Sequence, residues 1–305
     1  MNITDLLNTF ANNLLPILIL SAAGFTLGKT LSIDSRSLGR VVFYIFSPIL
    51  VFDLLLNTQL NSAEIFTTMA YTVLVCSSVG VLAFALGKLF HFERPVLMAI
   101  ILTSAFGNTG NYGLPVVSFA FGEDALAFAT LFFVTTSILF NTVGVLIASL
   151  GHMDFKTALA GIVKVPAVYA VTLAALLNRF HLILPIPLAR TVDLASNASI
   201  PVMIVLLGLE LSRVQWSHSF KALGVSAALR LLAGPIIGLL LASLFGFKDA
   251  ARQGTVTESA MPAAVTSTVL ATEYGLDTSL VTAIVFIGTI LSPLTLTPLL
   301  VYLGK

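Results

Sequence analysis

Residues 104–115 read Ser-Ala-Phe-Gly-Asn-Thr-Gly-Asn-Tyr-Gly-Leu-Pro, inside a run from Val96 to Phe121 that is otherwise apolar enough for a membrane helix. Three glycines, two asparagines and a proline fall within the nine residues Gly107 to Pro115. Glycine weakens a helix through backbone entropy, and proline removes an N–H donor. In lipid, a broken backbone survives only where protein or a water-filled cavity satisfies the freed polar groups. The stretch therefore demands a polytopic fold around it, and it is the first place to look for a site.

Composition agrees. The chain of 305 residues is 57% apolar and 10% charged, where a soluble protein carries about 25% charged residues. Its net charge of +1 gives no sign of nucleic acid or of an acidic partner. Cys76 is the one cysteine, so no intrachain disulfide can form. His91, His152, His181 and His218 all fall in short polar connections, which argues against a histidine metal site. No Lys or Arg precedes the first apolar run, so the N-terminal segment reads as a retained helix rather than a cleaved signal.

A helix needs about 20 apolar residues to cross the hydrocarbon core. Ten candidate spans follow: 11–29, 37–56, 65–90, 95–121, 125–150, 158–178, 187–211, 219–246, 249–272 and 277–301. With the N-terminus outside, the inner connections collect Lys29, Arg36, Arg40, Lys88, Arg94, Lys156, Arg213 and Lys221. The outer ones collect Arg179, Arg190, Lys248, Arg252 and Lys305, so the positive-inside bias favours both termini outside.

The chain repeats itself at half its length. Phe133-Val-Thr-Thr-Ser-Ile-Leu-Phe-Asn141 resembles Phe286-Ile-Gly-Thr-Ile-Leu-Ser292-Pro293, and Gly122-Glu-Asp124 falls opposite Gly275-Leu-Asp277. The reading is a first five-helix repeat over 1–150, a connecting loop at 151–157 and a second repeat over 158–305. An odd number of spans per half inverts one against the other, as in many secondary transporters. The same offset sets residues 104–115 opposite Met261-Pro262-Ala-Ala-Val-Thr266-Ser267-Thr268 in the ninth span. Matched breaks in both halves point to a binding site near the midplane. A pair of proline kinks with only a packing role is the bland alternative; it suits Pro48, Pro166, Pro201 and Pro235. Asparagine is costly in lipid and unnecessary for a kink, so residues 107–115 favour the site.

Half-helix ends facing a cavity present N–H groups to anions and carbonyls to cations. Asn108, Thr109, Gly110, Asn111, Tyr112, Gly113 and Pro115 supply one arm of a substrate site. Met261, Pro262, Thr266 and Ser267 supply the other, and Asn141 in the fifth span is a further candidate that could equally bond a neighbouring helix. Arg230 lies mid-span, too deep to snorkel freely. It is read as an anion partner, as the counter-charge of Glu258, or as half of a structural ion pair. Glu258, on the approach to the second break, is read as a coupling group, with an interfacial residue near the start of the span as the alternative. Asp53, Lys164, Asp193 and Glu210 sit nearer span ends, where interfacial placement is the expectation. No phosphate-binding loop, HExxH or Gly-x-Ser-x-Gly motif occurs, so neither ATP-driven transport nor an enzyme is expected, and no cofactor or resident metal.

These residues resemble the auxin efflux carrier family. Asn108-Thr109-x-x-x-Gly113-Leu114-Pro115 is similar to the plant motif Asn-Thr-Leu-Val-Met-Gly-Ile-Pro at identical spacing. Ala260-Met261-Pro262 with Ala271-Thr-Glu273-Tyr274 resembles the plant Ala-Leu-Pro and Ala-Lys-Glu-Tyr stretches, and Arg230 before Pro235 is similar to a basic residue in bacterial members. Ser267 stands where plant carriers have a second proline, and their long cytosolic loop is replaced here by Gly151 to Thr157. The resemblance implies an all-α fold of ten transmembrane helices, two inverted five-helix repeats, with broken spans four and nine crossing, as in bile-acid symporters and sodium/proton antiporters. It implies a scaffold domain (spans one, two, six and seven) that can pair as a homodimer, and a transport domain (spans three to five and eight to ten).

The expected function is secondary active transport of a small organic anion, an auxin-like or dicarboxylate molecule, by elevator-type alternating access in a bacterial cell membrane. Proton coupling, sodium coupling and uniport are all open. The alternatives are a sodium-coupled symporter of larger organic anions, a passive anion channel, and a membrane receptor that binds without flux.

Overall fold

The computed structural model describes residues 2–31, 33–58, 60–149 and 162–304. The connection expected at 151–157 lies outside the described residues. The protein is an all-α membrane protein. Among the described residues seven helices are long and apolar enough to cross a membrane. They are α1 (Ile3–Thr30), α2 (Ser35–Asn57), α3 (Ser62–Leu89), α6 (Glu123–Ala148), α8 (Ile186–Leu211), α9 (Phe220–Leu244) and α12 (Thr278–Leu303). Shorter helices fill the remaining apolar runs: α4 (Arg94–Ala105) and α5 (Leu114–Phe121), α7 (Pro166–Arg179), and α10 (Asp249–Ser259) and α11 (Ser267–Glu273). Helix α1 begins at Ile3, eight residues before the hydropathy signal at 11, because polar residues extend it beyond the apolar run.

Local sequence sets the helix ends. Asn61 and Glu64 form a reciprocal capping box at the start of α3, with bonds of 2.9 and 2.8 Å. Asp34 accepts from the Arg36 and Ser37 amides at the start of α2, and Asp277 from the Leu280 amide at the start of α12. Asp34 also accepts the Ser37 hydroxyl, which first, with the Arg36 amide second, holds its carboxyl below the ordinary value. Gly122 and Gly275, which end the two shorter C-terminal half-helices, both have positive φ, 78° and 68°.

Of the four prolines expected to kink helices, Pro48 and Pro235 follow widened turns, while Pro166 opens α7 and makes no kink. Of five wide π-type turns among the described residues, four (Phe10–Leu14, Val42–Phe46, Thr109–Gly113 and Leu229–Ala233) end two residues before Pro16, Pro48, Pro115 and Pro235 respectively, and the fifth, Phe140–Gly144, has no proline after it. A proline ring clashes with the carbonyl four residues upstream and offers no N–H, so the preceding turn widens. Pro201 lies inside α8 without interrupting it.

Helix α1 packs on α8, and α2 packs on α7 and α8. In the rest of the fold α3 packs on α4 and α6, α10 on α6 and α9, and α9 on α4 and α12, while α1 also touches α5 and α12, and α2 touches α6. The largest buried cluster joins Tyr71, Leu102, Phe106, Tyr112, Met261 and Ala263, around the two interruptions. Outward faces are apolar: Leu240, Leu244 and Leu294 are 67%, 78% and 74% exposed. Side chains of this kind gain nothing facing water, and they suit a hydrocarbon solvent.

Candidate functional site

The interruptions predicted at 104–115 and 261–268 meet. Between α4 and the π turn, Phe106, Gly107 and Asn108 leave the helical path; between α10 and α11 the chain runs free from Ala260 to Val265. Gly107 and Ala263 pair as an isolated antiparallel bridge. The Asn108 amide donates to the Pro262 carbonyl at 2.7 Å, and the Ala264 amide donates to the Phe106 carbonyl at 3.0 Å. Two broken helices thus satisfy part of each other's freed backbone, as burial in an apolar medium requires. Pro115 follows the π turn, which runs straight into α5 with the Leu114 amide donating to the Thr109 carbonyl, so the missing N–H falls where the helix is already widened.

Arg230 holds the crossing from α9. Its side chain is buried, and its guanidinium donates to three main-chain carbonyls: Met261 through Nε, Ser104 through Nη1 at 3.3 Å and Glu258 through Nη2 at 3.4 Å. Ser104 and Glu258 lie in the last turns of α4 and α10, so the cation sits at the carbonyl ends of both half-helices, where the helix dipoles favour positive charge. A Cβ at Gly107 would fall on that guanidinium.

Glu258 is fully buried, and neither carboxylate oxygen has a hydrogen-bond partner among the described residues. Its contact with Arg230 runs through its main-chain carbonyl. The carboxylate lies against Gly113, where an added Cβ would fall on it. An ionised carboxylate buried without hydrogen bonds costs several kcal/mol, offset in part by the nearby Arg230 charge, so the group sits where a proton would neutralise it.

The donor side of the crossing is also incomplete. Asn108 is 6% exposed, and its Nδ2 has no partner among the described residues. The same holds for the buried Ser267 hydroxyl. Thr109 is buried, Gly110 packs against the Phe133 ring, and the Tyr112 hydroxyl accepts from Ser292 at 3.2 Å.

Not every residue read from the sequence reaches this place. Asn111 turns away to donate to Glu210 on α8 at 3.4 Å. Thr266 is exposed. Asn141 donates to the Ser137 carbonyl of its own helix at 2.9 Å. Three residues carry contacts that the sequence did not single out. Ser104 accepts from Arg230, Ser292 meets Tyr112, and Glu210, expected at an interface with water, meets the broken segment. No group of three or more His, Cys, Asp or Glu that could hold a metal occurs among the described residues. An apolar cavity of about 140 Å³ lies away from the crossing, between Leu131, Val134 and Ile138 of α6 and Val168, Val171 and Thr172 of α7.

Comparison with known proteins places this geometry in context. The profile of the membrane transport protein family matches residues 9–161 and 152–300. An uncharacterized transporter of Methanothermobacter thermautotrophicus is 28% identical over 291 residues, covering 92% of this chain and 94% of that protein. An uncharacterized transporter of Methanocaldococcus jannaschii is 30% identical over 273 residues, covering 86% of this chain and 87% of its own. A Rhizobium meliloti protein named "Putative malonate transporter" is 27% identical over 276 residues, covering 86% and 85%.

Proposed function

The chain belongs to the membrane transport protein family, the auxin efflux carriers, and from that premise we propose that it carries a small carboxylate through the crossing of its two broken segments. It is a membrane transporter and not an enzyme. The observation that carries the substrate class is the Asn108 amide: a buried Nδ2 donor without a partner among the described residues, set at the paired interruptions. A buried donor left unpaired costs about 1–3 kcal/mol. A ligand carboxylate oxygen removes that cost and gains a charge-assisted bond. The name of the Rhizobium relative supports a short dicarboxylate such as malonate.

Ten spans in two inverted five-helix repeats are the architecture that best accounts for paired breaks half a chain apart. Pro115 and Pro262 shape the two arms, with Tyr112 and Ser267 beside them. Helices α1, α2, α7 and α8 pack on one another (α1 on α8, α2 on α7 and α8), which supports their role as a scaffold that the rest of the fold rests against. The other helices then form the moving body, and the apolar cavity between α6 and α7 lies along the sliding boundary. Glu258 is the coupling group in this reading, since its carboxylate faces no donor that would hold its charge permanently.

The test is uptake of radiolabelled malonate, succinate and acetate into liposomes holding the purified protein. Saturable uptake of at least one, abolished by Asn108→Ala, is expected. Flux that never saturates would mark a channel, and no flux of any carboxylate would refute the reading.

A further inference from the structure

Half-helix carbonyl ends at a membrane crossing are places where transporters hold a coupling cation. Here they are already occupied. We propose that the Arg230 guanidinium is the resident cation of the crossing, filling the place a sodium ion would take, so that the transport proposed above runs without sodium. The inference rests on that reading of the crossing as the transport site, and it narrows the coupling question the reading leaves open.

Three observations carry it. First, the bonds go to main-chain carbonyls of the second interruption and of the last turns of both half-helices: Met261, Ser104 and Glu258. Those are the acceptors a hard cation would use. Second, the guanidinium is held tightly, with Gly107 so close that no side chain fits there, and Arg230 itself is only 3% exposed. Third, arginine keeps its charge at any accessible pH and its planar fork spans several acceptors, whereas a diffusible ion comes and goes. The rival roles fit less well. An ion-pair partner of Glu258 would meet the carboxylate, and the guanidinium meets the carbonyl instead. An anion's counter-charge would aim its donors at the unpaired Asn108 side, and three of them are committed to carbonyls.

The experiment compares thermal unfolding of the purified protein in sodium chloride and in N-methyl-D-glucamine chloride. Wild type and Arg230→Lys, which keeps the charge, are expected to unfold at the same temperature in both salts. Arg230→Ala is expected to unfold at a lower temperature and to be stabilised by low millimolar sodium or guanidinium chloride. A shift of roughly 3 °C is expected at ten times the dissociation constant. Should Arg230→Ala fail to fold, the sodium titrations of wild type and Arg230→Lys decide the matter alone. Saturable stabilisation of either by sodium overturns the proposal, as does an alanine variant as stable as wild type without added cation. Uptake that collapses when sodium is withdrawn overturns it too. Absence of carboxylate uptake in both salts would instead refute the transport reading.

Discussion

Replacing Gly113 by alanine isolates the contact on which the coupling role of Glu258 depends. Gly113 has φ −64° and ψ −54°, ordinary helical values, so its backbone accepts alanine without strain. In an open helix the change would stabilise by about 0.5–1 kcal/mol. Here the new Cβ falls on the carboxylate of a fully buried Glu258. Overpacking of that kind costs about 1–3 kcal/mol, so the net effect is destabilising. Each kcal/mol lowers the unfolding temperature by roughly 2–4 °C in a chain of this size. In a Glu258→Ala background the carboxylate is gone, and Gly113→Ala should then stabilise. Thermal unfolding of the four proteins in detergent closes a double-mutant cycle with an expected coupling of about 1–3 kcal/mol. The same sign in both backgrounds would show that the carboxylate does not rest on Gly113, and the account of Glu258 would fall with it.

Three further outcomes follow from the same geometry. Glu258→Gln keeps the volume and removes the titratable group, so carboxylate binding should survive while uptake loses its response to an imposed pH gradient in liposomes. Glu210→Ala deletes the Asn111 partner at 3.4 Å, and a neutral donor released near the surface should cost at most about 1 kcal/mol. The transport rate should change more than the unfolding temperature, because the bond joins the broken segment to α8. Asp34 has its pKa lowered by the Ser37 hydroxyl first and the Arg36 amide next. Its contribution to stability is therefore present above the unfolded carboxylate pKa and is lost as pH falls through the lower folded value. Protection of the Arg36 and Ser37 amides, measured as the observed exchange rate against the intrinsic rate at each pH, should fall in that acidic window, and Asp34→Ala should remove the step.

Much of the site was legible because lipid punishes irregular backbone. Glycine, asparagine and proline in an apolar run have few explanations, and the half-chain offset joined 104–115 to 261–268 before any geometry was known. The Asn108–Pro262 bond and the Gly107–Ala263 bridge join those very segments. What hydropathy could not supply was rotation about the helix axis. Where nearly every residue is apolar, no polar stripe says which way a side chain turns, so Asn111, Thr266 and Asn141 were grouped with residues they do not join. Glu210 does lie at the end of α8, as its position suggests, but distance from a span end does not say that the end packs on the broken segment through Asn111. Arg230 exposes a different limit. A sequence displays side chains as partners, and its acceptors are main-chain carbonyls, which any residue could have provided. The break itself is shorter than composition suggests. It covers Phe106 to Asn108, because the glycines and Pro115 beyond it are taken up by a π turn and the first turn of α5.

The most direct test of the central claim is carboxylate binding at Asn108. Purified wild type and Asn108→Ala would be unfolded thermally across a concentration series of malonate, succinate and acetate. The account expects at least one acid to raise the unfolding temperature of wild type saturably, and to leave Asn108→Ala unmoved. Equal stabilisation of both proteins, or of neither, would contradict it.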